Sequence, residues 1–496
     1  MYNITLKEFL KHSSKANVIP VYKQINADLD TPVSCFLKLA KDKYSFLLES
    51  VEGQEKIARY SFLGSRPCLV FSSKGKHVEI IERGKARRFV TAKDPLDEVK
   101  KIMKGFRPAA IKGLPRFYGG FVGYIGYDYV RFIEKIPDKN TDELNIPDTF
   151  LILTDTILLF DHINHTLKII VNVILPTSAR PVSTKAKARL YRQALKRIEE
   201  IDADFRKPVR ASELESRSMG DALGGVPISS NFEKSRFCGI VNKAKEHIKA
   251  GDIIQVVLSQ RFKAKIKKEP FDIYRSLRGL NPSPYMFFLR LDRVTLIGAS
   301  PELLVRCEDG FVQARPIAGT RRRGRTESED RALEKELLND PKEKAEHLML
   351  VDLGRNDIGR IARLGSVKVG NFMSVERYSH VMHLVSEVTG VLDPKYDAYD
   401  VLRACFPAGT VSGSPKVRAM EIIDELENIR RSTYAGCVGY VSFSGNLDTC
   451  ITLRTMAVIG NTAYIQAGAG IVADSMPAKE YVETQNKAKA LIEALQ

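Results

Sequence analysis

Residues 150–175 read FLILTDTILLFDHINHTLKIIVNVIL. A dense apolar, β-branched run at 150–160 is followed by DHINHT (161–166), a turn-like polar segment, and then by LKIIVNVIL. The pattern predicts an antiparallel hairpin and so commits this part of the chain to a sheet. Similar short runs precede it, separated by turn signals: YSFLLES (44–50), ARYSFLG (58–64) and CLVFSSKG (68–75). A charged helix is expected over 185–200. Residues 202–230 are polar, poorly periodic and bear Gly and Ser, which suits a linker. They divide an N-terminal region, 1–201, from a C-terminal region, 231–496.

Beyond the linker the pattern changes. NFEKSRFCGIVNKAKEHIKAGD (231–252) has helical apolar spacing, with Asn231 as the expected N-cap and Gly251 as the stop. IIQVVLSQRFKAKI follows as a strand. LIGASPELLVRCEDGFVQARPIAGT (296–320) reads as two or three strands, with Glu-Asp-Gly at 308–310 marking a hairpin. Helices are expected at about 328–338 and 341–353. CVGYVSFSGNLDTCITLRTMAVIGNTAYIQAGAGIV is strand-rich again, and a helix runs from about 477 to the end. Hairpins outnumber βαβ crossovers, and no internal repeat is visible. An α+β fold with large, mainly antiparallel sheets and flanking helices fits better than a Rossmann sheet.

The 496 residues carry 77 Lys plus Arg against 60 Asp plus Glu, a formal charge of +17. A basic total suits acidic partners, nucleic acid and anionic metabolites among them. The positive residues are scattered, however, and no zinc-finger, RNP or basic-zipper pattern occurs. Seven widely spaced cysteines without a CxxC suit a reducing compartment. Neither a signal-peptide block nor an apolar run long enough for a membrane helix is present, so a cytoplasmic protein is expected.

Several stretches could carry chemistry. NDPKEKAEHLML (339–350) opens a helix at Asp340-Pro341. Glu343 sits where a capping-box partner would, and Glu346 one turn on. ADSMPAKEYVETQNKAKA (473–490) opens another at Pro477, with Glu480, Glu483 and Lys487 on one face. Carboxylates from two helices, with no matching His or Cys cluster, suit a hard cation such as Mg²⁺; two solvated helix faces fit the spacing equally well. Gly468-Ala469-Gly470, Gly319-Thr320 in RPIAGTRRRG (315–324), and the Gly/Ser/Thr loop FPAGTVSGSPK (406–416) resemble anion-binding backbone. Arg454, within a strand-like run, suits a carboxylate anchor or a sheet-edge surface position. Glu302 and His383 are candidates for proton transfer, although a lone His on an apolar run is commonly structural. Cys437 reads as a core thiol.

Taken together, PIAGTRRRG, DLGRNDIGR (352–360), FPAGTVSGSPK and AGAGIVADSMPAKEYVET resemble the chorismate-utilising enzymes over about 231–488. LLES (47–50) and NPSPYM (281–286) resemble the regulatory elements of the anthranilate synthase component I family, extending the likeness over nearly the whole chain. The resemblance implies a two-layer sandwich of antiparallel sheets and a lyase reaction. Chorismate and ammonia would give anthranilate and pyruvate, the committed step to tryptophan. Carried over position by position, it implies Glu346 and Glu483 as Mg²⁺ ligands with Glu343 and Glu480 beside them. Gly319, Thr320, Tyr434, Arg454, Gly468, Ala469, Gly470 and Lys487 would hold chorismate, and the arginines after Thr320 would form a basic mouth. Glu302 would protonate the leaving hydroxyl, His383 would assist elimination, and Gln255 and Thr410 would complete the catalytic set.

Ser50, Pro284, Tyr285 and Met286 would form a tryptophan site. Isochorismate synthases carry lysine in place of Gln255, because water must be deprotonated to attack and ammonia need not be. Aminodeoxychorismate synthases usually carry lysine in place of Ala318, where their amine attacks the ring. The chain has no GxCxG elbow, so a separate glutamine amidotransferase subunit is implied, in a heterotetramer of two large and two small subunits, with no nucleic acid or membrane as partner. Aminodeoxychorismate synthase and, in another class, a basic nucleic-acid-binding protein are the alternatives. The absence of Trp suits a chain needed when tryptophan is scarce.

Overall fold

The structure is a computed structural model that describes residues 2–39, 42–50, 59–176, 182–208, 226–378 and 381–496. Its described strands form two twelve-stranded sheets, and every strand pairing within them is antiparallel. Period-two alternation decides which face of a strand is covered. In the first sheet Phe46, Phe62, Phe287, Leu289 and Leu296 enter the core shared with the second sheet. Their neighbours Leu47, Leu63, Met286, Phe288 and Ile297 pack outward against helices that include Pro32–Leu39, Thr184–Phe205, Pro270–Leu280 and Pro477–Leu495. Both faces are therefore apolar, and burying each large side chain contributes about 1.5–3 kcal/mol. The chain is α+β with two large antiparallel sheets and flanking helices, as the sequence predicts.

Both sheets run without a break through the N- and C-terminal regions. Tyr44–Glu49 pairs with Tyr285–Leu291, placing Met286 opposite Glu49. Gly120–Ile125 pairs with Cys437–Ser442 in the second sheet. The expected linker, 202–230, holds the end of the Thr184–Phe205 helix and the strand Ile228–Ser230. Its central part, 209–225, lies outside the described residues.

The predicted 150–175 hairpin forms, with Asp161 opposite Thr166. Its first run is two strands, however. Thr149–Thr154 belongs to the second sheet and Thr156–Asp161 to the first, so the chain changes sheets at Asp155. Short crossings also join Tyr60–Ser65 of the first sheet to Leu69–Lys74 of the second, and recur at 300–303 and 451–455. The 296–320 stretch forms four strands, of which Val294–Ser300 lies in the first sheet and Leu303–Glu308 in the second. Leu447–Ile451 and Thr455–Ile459 make the return passage.

Local differences have local causes. Asn231 does not cap the Lys234–Lys249 helix, whose N-cap is Glu233. Its side chain instead accepts from the Arg261 amide and donates to Asn428 Oδ1. Pro341–Gly359 outlasts its expected end by several residues, because nothing before Gly359 breaks it. Gly468-Ala469-Gly470 is not a turn: it lies within the strand Thr462–Ile471 and pairs with Val257, Leu258 and Ser259. Among the described residues no helix is long and apolar enough to cross a membrane.

One buried ion pair ties several of these elements together. Arg431 donates to both Glu427 oxygens and to the carbonyls of Val411 and Val257. Glu427 also accepts from the amide and hydroxyl of Ser259. Arg431→Met leaves the Glu427 carboxylate buried without its cation, and such a loss costs about 3–5 kcal/mol. Arg430→Met removes a partly exposed pair with Asp138, at about 0–1 kcal/mol. Thermal unfolding of the two variants should show a clearly larger drop in melting temperature for Arg431→Met; equal drops refute the assignment.

Candidate active site

The crossings at 300–303 and 451–455 lie side by side and clasp each other. The Ile451 amide donates to the Glu302 carbonyl at 3.0 Å, and the Ala299 amide to the Arg454 carbonyl at 3.0 Å. The Ser300 hydroxyl donates to the Ile451 carbonyl at 2.6 Å. Backbone groups that leave one ladder before joining the next need such partners. The clasp sets two of the predicted residues, Glu302 and Arg454, at the passage between the sheets. The Glu302 carboxyl is buried, and burial pushes its pKa up to about 8. The Thr410 hydroxyl and the Lys487 ammonium oppose that rise without cancelling it. Thr410 Oγ1 is itself buried and closes no hydrogen bond of ordinary geometry. Glu302 is thus a neutral carboxylic acid at pH 7, able to donate a proton.

Lys487 links this acid to the carboxylate helices. Its ammonium donates to the Gly468 carbonyl at 3.1 Å and pairs with Glu483 at 2.6 Å. Burial raises the pKa of Glu346, and the charge of Glu343 adds to the rise; burial and Glu483 do the same for Glu480. Lys342 and Lys487 each stabilise the charged forms of both Glu346 and Glu480. The first turns of Pro341–Gly359 and Pro477–Leu495 therefore share one acidic site. Asp340 caps the former helix by accepting from the Lys342 and Glu343 amides. Glu343 does not complete a capping box; its carboxylate meets Arg321 at 3.2 Å. His347 is a buried structural residue, bonded to Ser386 at 2.6 Å, with its pKa pushed down to about 4.

The glycine strand supplies close approach. A methyl group on Gly468 would lie 2.7 Å from Tyr434 Oη, and one on Gly470 2.7 Å from Gln255 Nε2. Only glycine lets these two polar side chains lie against the strand. Gln255 is buried, and its amide also interacts with the Glu346 carboxylate. Burial and Arg431 together act on Tyr434, whose phenol is pushed up to about 12 by the former. Arg454 stands between Tyr434 and Glu483, whose negative forms favour its charge, whereas burial lowers its pKa. A buried guanidinium so placed is suited to an anionic ligand.

The other predicted proton-transfer candidate, His383, stands on the second sheet. Gly319, with φ +67°, sits in a bulge between Ala318 and Thr320. The bulge aims the Gly319 carbonyl at His383 Nδ1, 2.9 Å away, with Thr320 Oγ1 at 3.1 Å. A carbonyl can only accept, so Nδ1 carries the hydrogen and Nε2 keeps a free lone pair. Burial lowers the His383 pKa, leaving the ring neutral.

The expected basic mouth is not there. Arg321 is bound by Glu336, Asp340 and Glu343, Arg322 by Glu329, and Arg323 by Asp330. These arginines fasten the Ile317–Arg322 strand to two helices. The sequence reading also missed Arg431 and Glu427. Their i, i+4 spacing ahead of Tyr434 in ELENIRRSTY (425–434) is the signal that was available.

Ser50, Pro284, Tyr285 and Met286 meet in a separate, narrow cleft of ≈ 50 Å³, with Phe62 and Tyr440 in its walls. Asp448 forms its polar end, accepting from Tyr285 at 3.1 Å and from Arg306 at 3.0 Å. Ser50 Oγ and Tyr440 Oη are buried without hydrogen-bond partners.

The whole chain has known relatives. "Anthranilate synthase component 1" of Aquifex aeolicus is 51% identical over 495 residues, covering 100% of this chain and 98% of that protein. Its counterpart of the same name in Acetivibrio thermocellus is 47% identical over 497 residues, covering 100% and 99%. The crystal structure of anthranilate synthase component I from Streptococcus pneumoniae TIGR4 superposes with a TM-score of 0.75 at 37% identity, covering 95% of this chain and 99% of that one. Residues 44–493 match the family described as chorismate binding enzyme, and the chain belongs to that family.

Proposed function

We propose that this chain is the large subunit of an anthranilate synthase. It converts chorismate and ammonia to anthranilate and pyruvate, the first step toward L-tryptophan. The observation that carries this reading is Gln255. A neutral amide lies against Gly470 and Glu346, where a water-activating enzyme needs a base. Ammonia attacks with its own lone pair and needs none. Ala318 supports the same reading, because a buried methyl offers no amine for covalent attack.

The geometry supports a division of labour. Arg454, Tyr434, the backbone of Gly468 to Gly470, and Lys487 hold the substrate carboxylates, and Gly319 and Thr320 line the ring. Ammonia adds to the ring and the hydroxyl departs as water with the proton of Glu302, which Thr410 orients. His383 Nε2 then takes a proton as pyruvate is eliminated, restoring the aromatic ring. The acidic site fits Mg²⁺, because four carboxylates face two lysines there and burial already disfavours the charge of Glu346 and Glu480. Among the described residues no three His, Cys, Asp or Glu form a metal-holding group. Glu346 and Glu483 would hold it with Glu343 and Glu480 beside them, and the bound ion would neutralise substrate carboxylate charge.

The relatives' designation as a component implies a second one. We assign that role to a glutamine amidotransferase that delivers ammonia in a heterotetramer of two large and two small cytoplasmic subunits. The cleft of Ser50, Pro284, Tyr285 and Met286 suits feedback by tryptophan: Tyr285 offers an aromatic face to an indole and Ser50 an unpaired hydroxyl, whereas Met286 contributes backbone, its thioether being packed on the opposite face against the helices.

Incubating the chain with chorismate, Mg²⁺ and ammonium should yield fluorescent anthranilate; isochorismate formed efficiently without ammonia refutes the reading. Turnover should fall as pH rises through about 8, because ionised Glu302 cannot donate. Glu302→Gln should lower kcat about 10²–10⁴-fold and abolish that limb of the pH profile. Glu346→Gln and Glu483→Gln should each weaken Mg²⁺ binding in calorimetry and abolish turnover, and undiminished activity in EDTA overturns the metal assignment. Tryptophan should raise the apparent KM for chorismate and Ser50→Phe should relieve that effect; a fully sensitive Ser50→Phe enzyme refutes the cleft assignment.

A further inference from the structure

Ser300 was assigned no role by the sequence, yet its surroundings single it out. It is fully buried and stands at the last position of the first-sheet strand Val294–Ser300, two residues before Glu302. Its hydroxyl donates to the Ile451 carbonyl at 2.6 Å and lies 3.4 Å from the Glu302 amide, which donates to it. The Ile451 amide in turn donates to the Glu302 carbonyl at 3.0 Å. One small side chain therefore closes a ring of bonds that includes both backbone polar groups of Glu302.

Ser300 also adjoins residues that line the second cleft. Tyr285 is its direct partner across the antiparallel ladder. Cys450, which also lines that cleft, has its sulfur beside the Ser300 hydroxyl. Asp448, at the polar end of the cleft, lies on the same strand as Ile451. Ser300 thus stands between cleft-wall residues and the Glu302 backbone, beside the direct bond from the Ile451 amide to the Glu302 carbonyl. A change at Tyr285 or Cys450 meets the Ser300 hydroxyl, which joins the Ile451 carbonyl and the Glu302 amide.

We propose that Ser300 is a positioning residue that sets the backbone of Glu302 and transmits the state of the Ser50–Met286 cleft to it. This rests on the functional reading above. An effector in the cleft must bind one arrangement of the clasp better than another, since only differential affinity shifts an equilibrium. Moving Glu302 changes its placement relative to the leaving hydroxyl, and a displacement on the order of 1 Å lowers a rate by up to about 10²-fold. The hydroxyl matters for its bonds rather than its bulk. Alanine leaves the Ile451 carbonyl and the Glu302 amide without their bridge while disturbing packing little.

The test compares wild-type chain with Ser300→Ala and Ser300→Cys, which keeps a weak donor of similar size. Each is assayed with chorismate, Mg²⁺ and ammonium, and tryptophan binding is measured separately by calorimetry. Ser300→Ala should lower kcat roughly ten- to a hundredfold with little change in KM. It should also keep tryptophan affinity within about threefold while losing inhibition, because binding and its consequence are uncoupled. Ser300→Cys should fall between alanine and wild type. A merely structural role would lower stability and leave bound tryptophan inhibitory. Wild-type kcat with full inhibition in either folded variant overturns the proposal while the reaction assignment stands. A wild-type chain that is active but indifferent to tryptophan overturns the effector cleft and the link together. A wild-type chain that makes no anthranilate refutes the functional reading itself.

Discussion

The active site depends on a geometric constraint: a chain that fills two stacked sheets must pass between them. At each passage the backbone leaves one hydrogen-bond ladder before it joins another, and buried amides and carbonyls left there must find partners. Around Glu302 and Arg454 two passages run beside each other and supply those partners mutually. Each crossing satisfies the other's backbone groups. It also lies deep in the protein, so a carboxyl placed on it is stripped of water and held neutral. The same folding requirement that brings the crossings together therefore produces a buried carboxyl with a raised pKa.

Arg431 and Glu427 extend such bonding to the substrate side. The pair joins the strand that begins at Gln255, the loop that holds Thr410, and the ring of Tyr434, over which the guanidinium lies at 5.5 Å. Tyr127, from the N-terminal region, takes the guanidinium at 4.9 Å. A cation this deeply buried contributes little net stability beyond what an apolar residue of the same volume would give. What it contributes is position. Its donors reach two carbonyls and a carboxylate in a fixed fork, and three site residues inherit their placement from it.

The strands, most helix boundaries and the antiparallel class were legible because period and turn chemistry are local signals. The change of sheet at Asp155 was not. An unbroken apolar run such as FLILTDTILLF fits a strand buried on both faces, and nothing in its spacing reveals which neighbour each half pairs with. Gly468-Ala469-Gly470 was misread for a related reason. Small residues mark either a turn or a strand that another side chain must approach, and only Tyr434 and Gln255 decide between them. The carboxylates on the two helices were visible from spacing, but their common surroundings come from tertiary packing. Ser300 and Arg431 carried almost no signal, because a small buried hydroxyl and a buried cation acquire meaning only from the groups that meet them.

Net charge proved a poor guide to local chemistry. The chain carries +17, and RPIAGTRRRG holds its densest run of arginine, yet those arginines are bound by carboxylates of the neighbouring helices. The side chains that face the acidic site are instead a few isolated cations, each with a distinct task. Lys487 bridges Glu483 and the Gly468 carbonyl, and Lys342 acts on the two helix carboxylates. Arg454 stands between a phenol and Glu483, where burial disfavours its charge and a further carboxylate would favour it. A site that must hold a polyanion beside four glutamates cannot rely on a diffuse positive field. It needs buried charges whose desolvation is offset only when the ligand is present, so that the substrate itself completes the electrostatic balance.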